Sequence, residues 1–376
     1  MSYIIGAGYN RLFDIAESGL KIPEDVSFIE LGIDELNNTD QKSSSLIGKK
    51  ISLHLARTPM VEDEIAQDNY IDFLEKIIND AKFKKLELIS IGIHLSGSRF
   101  TGGGLLGDVD VYSPTKENLD KVVSFIKKIQ KLNLEVWIEN ASFYSEKISD
   151  VMETWQHVNY LCSEFKCKCI IDISHIVIEG NNIDIEPNLI LGMVPWKSVI
   201  ELHLSGIKQG KDGCMHDGHG LPVHDDVWKF LRLAIRILDG INENIYITIE
   251  HTPPSWKDKV DIYNNDFIKL NNILRDKHNF ISYFNNIESY MYGYLKYIID
   301  IKVPLLKEAF LQRGIDYDET LDSWVDIVKK NKKRIVIHMS EIPLSERNRA
   351  VDLVSGFMMY AKKEIENIDK KRMIKK

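Results

Sequence analysis

Short apolar, β-branched runs recur along the first 255 residues, and segments with apolar residues three and four apart lie between most of them. The runs are Tyr3–Ala7, Phe28–Gly32, Ile51–Leu55, Leu88–Leu95, Val136–Asn140, Cys169–His175, Val199–Leu204 and Ile245–His251. Their hydrophobicity is continuous rather than alternating, as in strands buried on both faces of a parallel sheet. Helical spacing marks Glu62–Phe83, Thr115–Leu132, Ser149–Glu164 and Asp225–Leu238, with Thr115 and Ser149 as expected N-caps. The polar connection Asn37–Lys50 predicts no full helix. Eight strands alternating with helices over about 250 residues is the count of a (β/α)8 TIM barrel. The rival, an open doubly wound sheet, calls for a glycine-rich phosphate loop after its first strand, and Gly6 to Arg11 forms a poor one. The run Gly102–Gly104 lacks the Gly-Lys-Ser/Thr ending of a P-loop and reads as a flexible loop at the barrel top.

Polar residues embedded in the apolar runs carry the chemistry. They are His54, His94, Glu139, Asp172, His175, His203 and Glu250, joined by Asp217 and His219 from the loop after the seventh strand. All fall at or just past the C-terminal ends of strands, where a barrel of this kind builds its active site. Taken singly, each histidine reads as a hydrogen-bonded core residue and each acid as half of a salt bridge. Together, five imidazoles and four carboxylates meet at one rim with only Arg57 and Arg99 as nearby arginines. Buried unpaired groups of this kind cost several kcal/mol each, so cations are the expected partners. The donors are all nitrogen and oxygen, which fits zinc, iron or manganese and disfavours Cu⁺ or an iron–sulfur cluster. Nine donors exceed one coordination sphere, so two or three ions sharing carboxylates are expected. In an ideal strand Asp172 and His175 would face opposite ways, which places His175 where the strand gives way to a loop.

The net charge of −8 over 376 residues argues against a nucleic-acid-binding surface and leaves metal binding open. Four cysteines (Cys162, Cys167, Cys169 and Cys214) are too few for a disulfide framework in a chain of this length. The N-terminus shows no signal-peptide pattern and no run approaches a membrane span, so a reduced, soluble, cytoplasmic protein is expected. The barrel domain is assigned to 1–278, with its closing helix within Trp256–Leu274. Residues 279–376 read as a mostly helical extension, with helices at Ile287–Ile301 and Leu344–Ile368 and a strand at Arg334–Met339.

These residues also carry a resemblance. The nine donors stand in the order of the nine-ligand set of the xylose isomerase-like barrel superfamily, as in its trinuclear branch, endonuclease IV. The intervening text is closer to a second branch. Glu139-Asn-Ala-Ser-Phe-Tyr144, the strand IIDISHIVIEG, Glu201-Leu-His-Leu-Ser-Gly206 and the block from His216 to Trp228 resemble the multinuclear non-heme iron-dependent oxidative enzymes, which include the methanobactin-biosynthesis enzyme MbnB. The likeness runs through roughly residues 3–255, and Pro222, Val223, Asp226 and Trp228 are its most specific part, since metal chemistry alone does not require them. Two positions depart from the pattern: His175 stands where the family often has Asn, and Ile207 replaces a polar residue.

The resemblance implies one ion held by His54, His94 and Glu139, with Glu139 bridging to a second held by Asp172, His203 and Glu250. His175, Asp217 and His219 would hold a third. It implies mixed-valence iron (Fe²⁺/Fe³⁺) with Glu139, His203 and Glu250 as the catalytic centre, using O₂ to oxidise a cysteine of a ribosomally made peptide. A precursor peptide, and a small partner or the extension gripping its leader, are the implied partners. Zinc in the same donors would instead imply an endonuclease IV-like phosphodiesterase. A sugar isomerase or epimerase is the third reading, and a metal-loaded binding module without turnover the fourth. His216, His224, His251, Asn140 and Tyr144 are candidate supporting residues, Cys169 reads as packing, and Cys214 takes no role.

Overall fold

Each of the eight apolar runs forms a strand, and the computed structural model closes them into one parallel barrel. The structure describes residues 2–275 apart from 39–43, 98–110, 142–144, 146–147, 186 and 239–243. In chain order the barrel strands are β1 (Ser2–Gly8), β2 (Val26–Leu31), β3 (Lys50–Leu55), β4 (Glu87–Leu95), β5 (Glu135–Asn140), β6 (Lys168–Asp172) and β7 (Val199–Leu204). After β7 come a two-stranded antiparallel ribbon, β8 (Ile207–Gln209) and β9 (Met215–Asp217), and then the last barrel strand, β10 (Asn244–Ile249). Barrel neighbours follow chain order, and β1 pairs with both β2 and β10 to close the ring.

Helices fill most of the connections: α1 (Ile33–Asn38), α2 (Glu64–Phe83), α3 (Lys116–Gln130), α4 (Ile148–Phe165), α5 (Ile173–Asn182), α6 (Pro187–Leu191), α7 (Asp225–Leu238) and α8 (Val260–Arg275). The α3 helix shows why. Thr115 caps it by accepting from the Asn118 amide at 3.2 Å, and one face buries Val122, Phe125, Ile126 and Ile129. Ser149 caps nothing, because α4 already begins at Ile148. Between β2 and β3 stand only the six-residue α1 and a 3₁₀ turn at Ser44–Leu46.

The sixth strand is shorter than its apolar run. It stops at Asp172, whose side chain accepts from the His175 amide at 2.8 Å and caps α5. Residues Ile173 to Gly180 are all buried, and a helix buried all round reads like an extension of the strand. His175 therefore lies in the first turn of a helix rather than at a strand end. The eighth run likewise ends at Ile249, with Glu250 and His251 just beyond.

One end of the bore is filled by Phe28, Trp137, Ile170 and Tyr246 from β2, β5, β6 and β10. Their rings pack with centroids 4.5 Å apart for Phe28–Tyr246 and 5.4 Å for Trp137–Tyr246. By backbone contacts the chain divides into two units, residues 1–231 with 242–276, and residues 232–241 with 277–376. The predicted extension 279–376, the glycines Gly102–Gly104, Arg99 and Tyr144 lie outside the described residues. Among those described, no helix is long and apolar enough to cross a membrane.

Candidate metal centre

Parallel register sets donors side by side at the C-terminal ends of the strands. His94 pairs with Glu139 across β4 and β5, and Asp172 with His203 across β6 and β7. Glycine at position 92 makes room for His54: a Cβ there would stand 3.1 Å from the imidazole Nδ1. Glu139 is the hub. Its Oε2 lies 3.2 Å from His54 Nε2 and 3.1 Å from His94 Nε2, and those two nitrogens are 2.9 Å apart. Its Oε1 lies 3.5 Å from His175 Nδ1 and 3.6 Å from His203 Nδ1. His203 Nδ1 is also 3.6 Å from Glu250 Oε2, and Asp172, His203 and Glu250 form a second compact donor group.

The remaining three donors complete the rim. His219 Nε2 touches Asp217 Oδ2 at 2.5 Å and lies 3.7 Å from Glu250 Oε2. His175 Nε2 is 3.4 Å from Asp172 Oδ2 and 3.8 Å from Asp217 Oδ2, and His175 forms a compact donor group with Glu139 and Asp172. All nine residues singled out in the sequence thus meet around one centre. Seven of them line or border a cavity of about 190 Å³: His54, His94, Glu139, His175, Asp217, His219 and Glu250.

Backbone anchors hold this rim in place. Asn140 donates to the Asp172 carbonyl and accepts from the Asp172 amide, and its own carbonyl lies 2.7 Å from His175 Nδ1. Ser205 donates to Asp217, which sits at the end of the ribbon. Gly206 permits the close return of that segment, since a Cβ there would meet the Leu221 and Gly218 carbonyls at 2.7 and 2.8 Å. Trp256 Nε1 donates to the His219 carbonyl at 2.7 Å, and Lys259 to that of Gly220 at 3.1 Å.

The pocket's polar atoms fit cations. Both oxygens of Glu139, Asp172 Oδ2, Glu250 Oε2, His94 Nδ1 and both ring nitrogens of His203 are buried without a hydrogen-bond partner. The triangle of His54, His94 and Glu139 donor atoms has edges of 2.9, 3.1 and 3.2 Å. Bonds of about 2.1 Å to one ion give octahedral edges of about 3.0 Å, so this triangle has the size of a coordination face. Charge is correspondingly concentrated. Burial disfavours a charged His54, but Glu30 and Glu139 outweigh it and lift its pKa to about 9. His175 and His219 likewise rise to about 10 against burial, beside Asp172 and Asp217 respectively. At His94 burial prevails and lowers the pKa. Burial raises Glu250 to about 8, whereas the surrounding imidazoles His94, His203 and His54 overcome burial at Glu139 and hold it well below the usual carboxylate range.

Two buried acids in contact with the donor histidines escaped the sequence reading. Glu30 at the end of β2 touches both His54 and His203, and Glu201 on β7 lies 3.4 Å from His203 Nε2. Each sits inside an apolar run as Glu139 does, and that shared signal could have found them. Arg57 lines a separate groove with Tyr70 and Phe73, Arg99 lies outside the described residues, and Arg11, absent from the sequence reading's candidates, lines the site. His216 lies 2.9 Å from Asp212 and His224 3.7 Å from Asp226, each within its own loop. His251 is buried beside the rim, stacked on Trp256 and 2.9 Å from Asp266, which also accepts from the Val223 amide. Cys169 is fully buried and Cys214 partly exposed, and neither is in a disulfide.

A family model described as "RiPP precursor modification enzyme MbnB/TglH/ChrH" matches residues 64–259, which contain every predicted donor except His54. Among curated relatives, a UPF0276 protein of Shewanella sediminis is 26% identical over 156 residues, 41% of this chain and 55% of that protein. One of Chromobacterium violaceum is 28% identical, covering 32% of this chain and 44% of that protein. The chain thus spans about half the length of these relatives, although one of Neisseria meningitidis is matched at 24% identity over 66% of this chain and 89% of its own length. Among solved structures, a xylose isomerase domain containing protein from Salmonella typhimurium is similar at a TM-score of 0.45 and 11% identity, covering 71% of this chain and 96% of that one. An L-ribulose 3-epimerase is similar at a TM-score of 0.44 and 12% identity, covering 73% and 96%.

Proposed function

The chain belongs to the MbnB/TglH/ChrH family of RiPP precursor modification enzymes, and from that premise we propose that it is an iron-dependent oxidase acting on a cysteine of a ribosomally made peptide. The observation that carries the reading is the buried Glu139 carboxylate, set between two donor groups with neither oxygen hydrogen-bonded. His54, His94 and Glu139 would hold one ion, and Glu139, Asp172, His203 and Glu250 a second. His175, Asp217 and His219 would hold a third. Iron in these donors would supply redox chemistry with O₂ and a seat for a thiolate.

The protein's own residues do the rest. Carboxylates shared between donor groups fix the spacing of the centre, and the apolar plug below it excludes water from one side. The open side, bordered by Tyr9, Arg11, Thr252 and Pro253, admits an extended peptide with its cysteine foremost. Residues 1–278 form the catalytic domain in this reading, and residues 279–376, or a small partner protein, grip the precursor's leader. Four cysteines free of disulfides favour a reducing, cytoplasmic setting.

The test is elemental analysis and Mössbauer spectroscopy of anaerobically purified protein, followed by incubation with a cysteine-bearing precursor peptide and O₂. Two or more irons per chain and an oxidative mass change confined to the cysteine are expected. Stoichiometric zinc, with no peptide change after iron loading, would remove the oxidase reading.

A further inference from the structure

Glu30 is one of two acids beside the centre that the ligand set leaves over, and its contacts are unlike those of Glu139. Its Oε1 is hydrogen-bonded to His54 Nδ1 at 3.1 Å, and its Oε2 makes an ion-pair contact with His203 Nε2 at 3.1 Å without the alignment of a hydrogen bond. The opposite nitrogen of each ring faces the donor cluster. His54 Nε2 stands 2.9 Å from His94 Nε2 and 3.2 Å from Glu139 Oε2, whereas His203 Nδ1 stands 3.6 Å from both Glu139 Oε1 and Glu250 Oε2. The two histidines therefore present different ring nitrogens to the centre, with one carboxylate behind both.

We propose that Glu30 is a positioning residue that fixes complementary tautomers of His54 and His203, so that His54 ligates through Nε2 and His203 through Nδ1. The chemistry follows from the hydrogen-bond inventory. A neutral imidazole carries one N–H and one lone pair, and an ionised carboxylate only accepts. Glu30 thus favours the proton on the ring nitrogen nearest it, by a hydrogen bond at His54 and by charge at His203, which leaves the other lone pair for a cation. Carboxylate–histidine–metal arrangements of this kind orient the ring and raise its basicity. Here a single carboxylate serves histidines assigned to two different ions, so it couples the two subsites. Glu201 stands farther off, its Oε1 3.4 Å from His203 Nε2, and it accepts from the Thr248 hydroxyl and does not reach His54. Glu30, His54 and His203 are compact enough to form a cation group of their own, and the experiment separates that role from positioning.

The proposal rests on the metal-centre reading but not on iron or on turnover. The experiment is nitrogen-15 NMR of the zinc-loaded full chain with labelled histidine, assigned with His54→Gln and His203→Gln, together with zinc affinity by chelator competition. In the unsubstituted protein His54 is expected to keep its proton on Nδ1 and bind zinc through Nε2, and His203 the reverse. Glu30→Gln retains the shape but offers one acceptor oxygen in place of two, so one of the two histidines should lose its fixed tautomer. Zinc binding should weaken about 10–100-fold, the usual effect of losing such a partner. A merely structural role would lower stability and leave both tautomers and zinc affinity unchanged, which would overturn the proposal. So would zinc on His54 Nδ1 or His203 Nε2, or loss of one extra zinc with both tautomers intact, which would make Glu30 a ligand. Absence of zinc from the unsubstituted protein would overturn the metal reading as well, whereas reversed tautomers would overturn this proposal alone.

Discussion

At one end of the bore Phe28, Trp137, Ile170 and Tyr246 close the barrel with apolar side chains, while two residues further along β2, β5 and β6 stand Glu30, Glu139 and Asp172. Just past the end of β10, Glu250 follows Tyr246 by four positions. Two residues of strand rise about 6.6 Å, so within one layer of side chains the interior changes from hydrocarbon to a set of titratable groups. The apolar layer is stable by itself, because burial there needs no partner. The polar layer is stable only through mutual neutralisation or bound cations, because its groups carry a desolvation cost wherever they stand. Evolution of such a barrel can change the upper layer while the lower one holds the fold. The same separation predicts that substitutions at the two ends fail in different assays.

The largest effect is expected at the polar end. Glu139→Ala and His203→Ala should each weaken metal binding by at least about 100-fold, beyond the usual loss of an outer partner, while circular dichroism shows a folded barrel. Retention of full metal by either variant would break the distinction between the layers. At the apolar end, Trp137→Ala should cost about 3–5 kcal/mol in denaturant unfolding and leave the metal content of the folded protein unchanged. Loss of metal in parallel with stability would mean that the layers are coupled rather than stacked.

The smallest effect is a pH trend. His54, His175 and His219 have pKa values raised to about 9, 10 and 10 in the cation-free pocket. Stability from these raised values is fully present below the ordinary imidazole value near 6.5 and is lost as pH rises through 9 to 10. Glu250, raised to about 8 by burial, acts in the same direction as pH climbs from the carboxylate range. Chelator-stripped protein should therefore melt at progressively lower temperature from pH 6.5 upward. Metal binding must displace those same protons, so metal affinity should increase over that window and offset the loss. Parallel melting trends with and without metal would argue against shared imidazoles.

Much of this was legible in the chain. A polar residue lodged in an apolar, β-branched run has few exits in a parallel strand, and His54, His94, Glu139, Asp172 and His203 all lie where that constraint puts them. His175 was misplaced because Ile173, Ile176, Val177 and Ile178 continue the apolar run into a helix buried on every side, which periodicity cannot tell from a strand. The ribbon that carries Asp217 was hidden for another reason: three-residue strands leave no pattern to read. Arg11 could not be found locally, because its place at the cavity comes from the closure of β1 against β10. Glu30 had the signal of Glu139 and lacked only a neighbour of known role.

The central claim is that side chains from six barrel-strand ends, the first turn of α5 and the ribbon after β7 share cations, and anomalous diffraction at the iron edge from crystals of the metal-loaded protein tests it most directly. One peak bounded by His54, His94 and Glu139, and another bounded by Glu139, Asp172, His203 and Glu250, are expected. Iron-loaded crystals with no anomalous density within bonding distance of those side chains, which instead pair with one another, would contradict it.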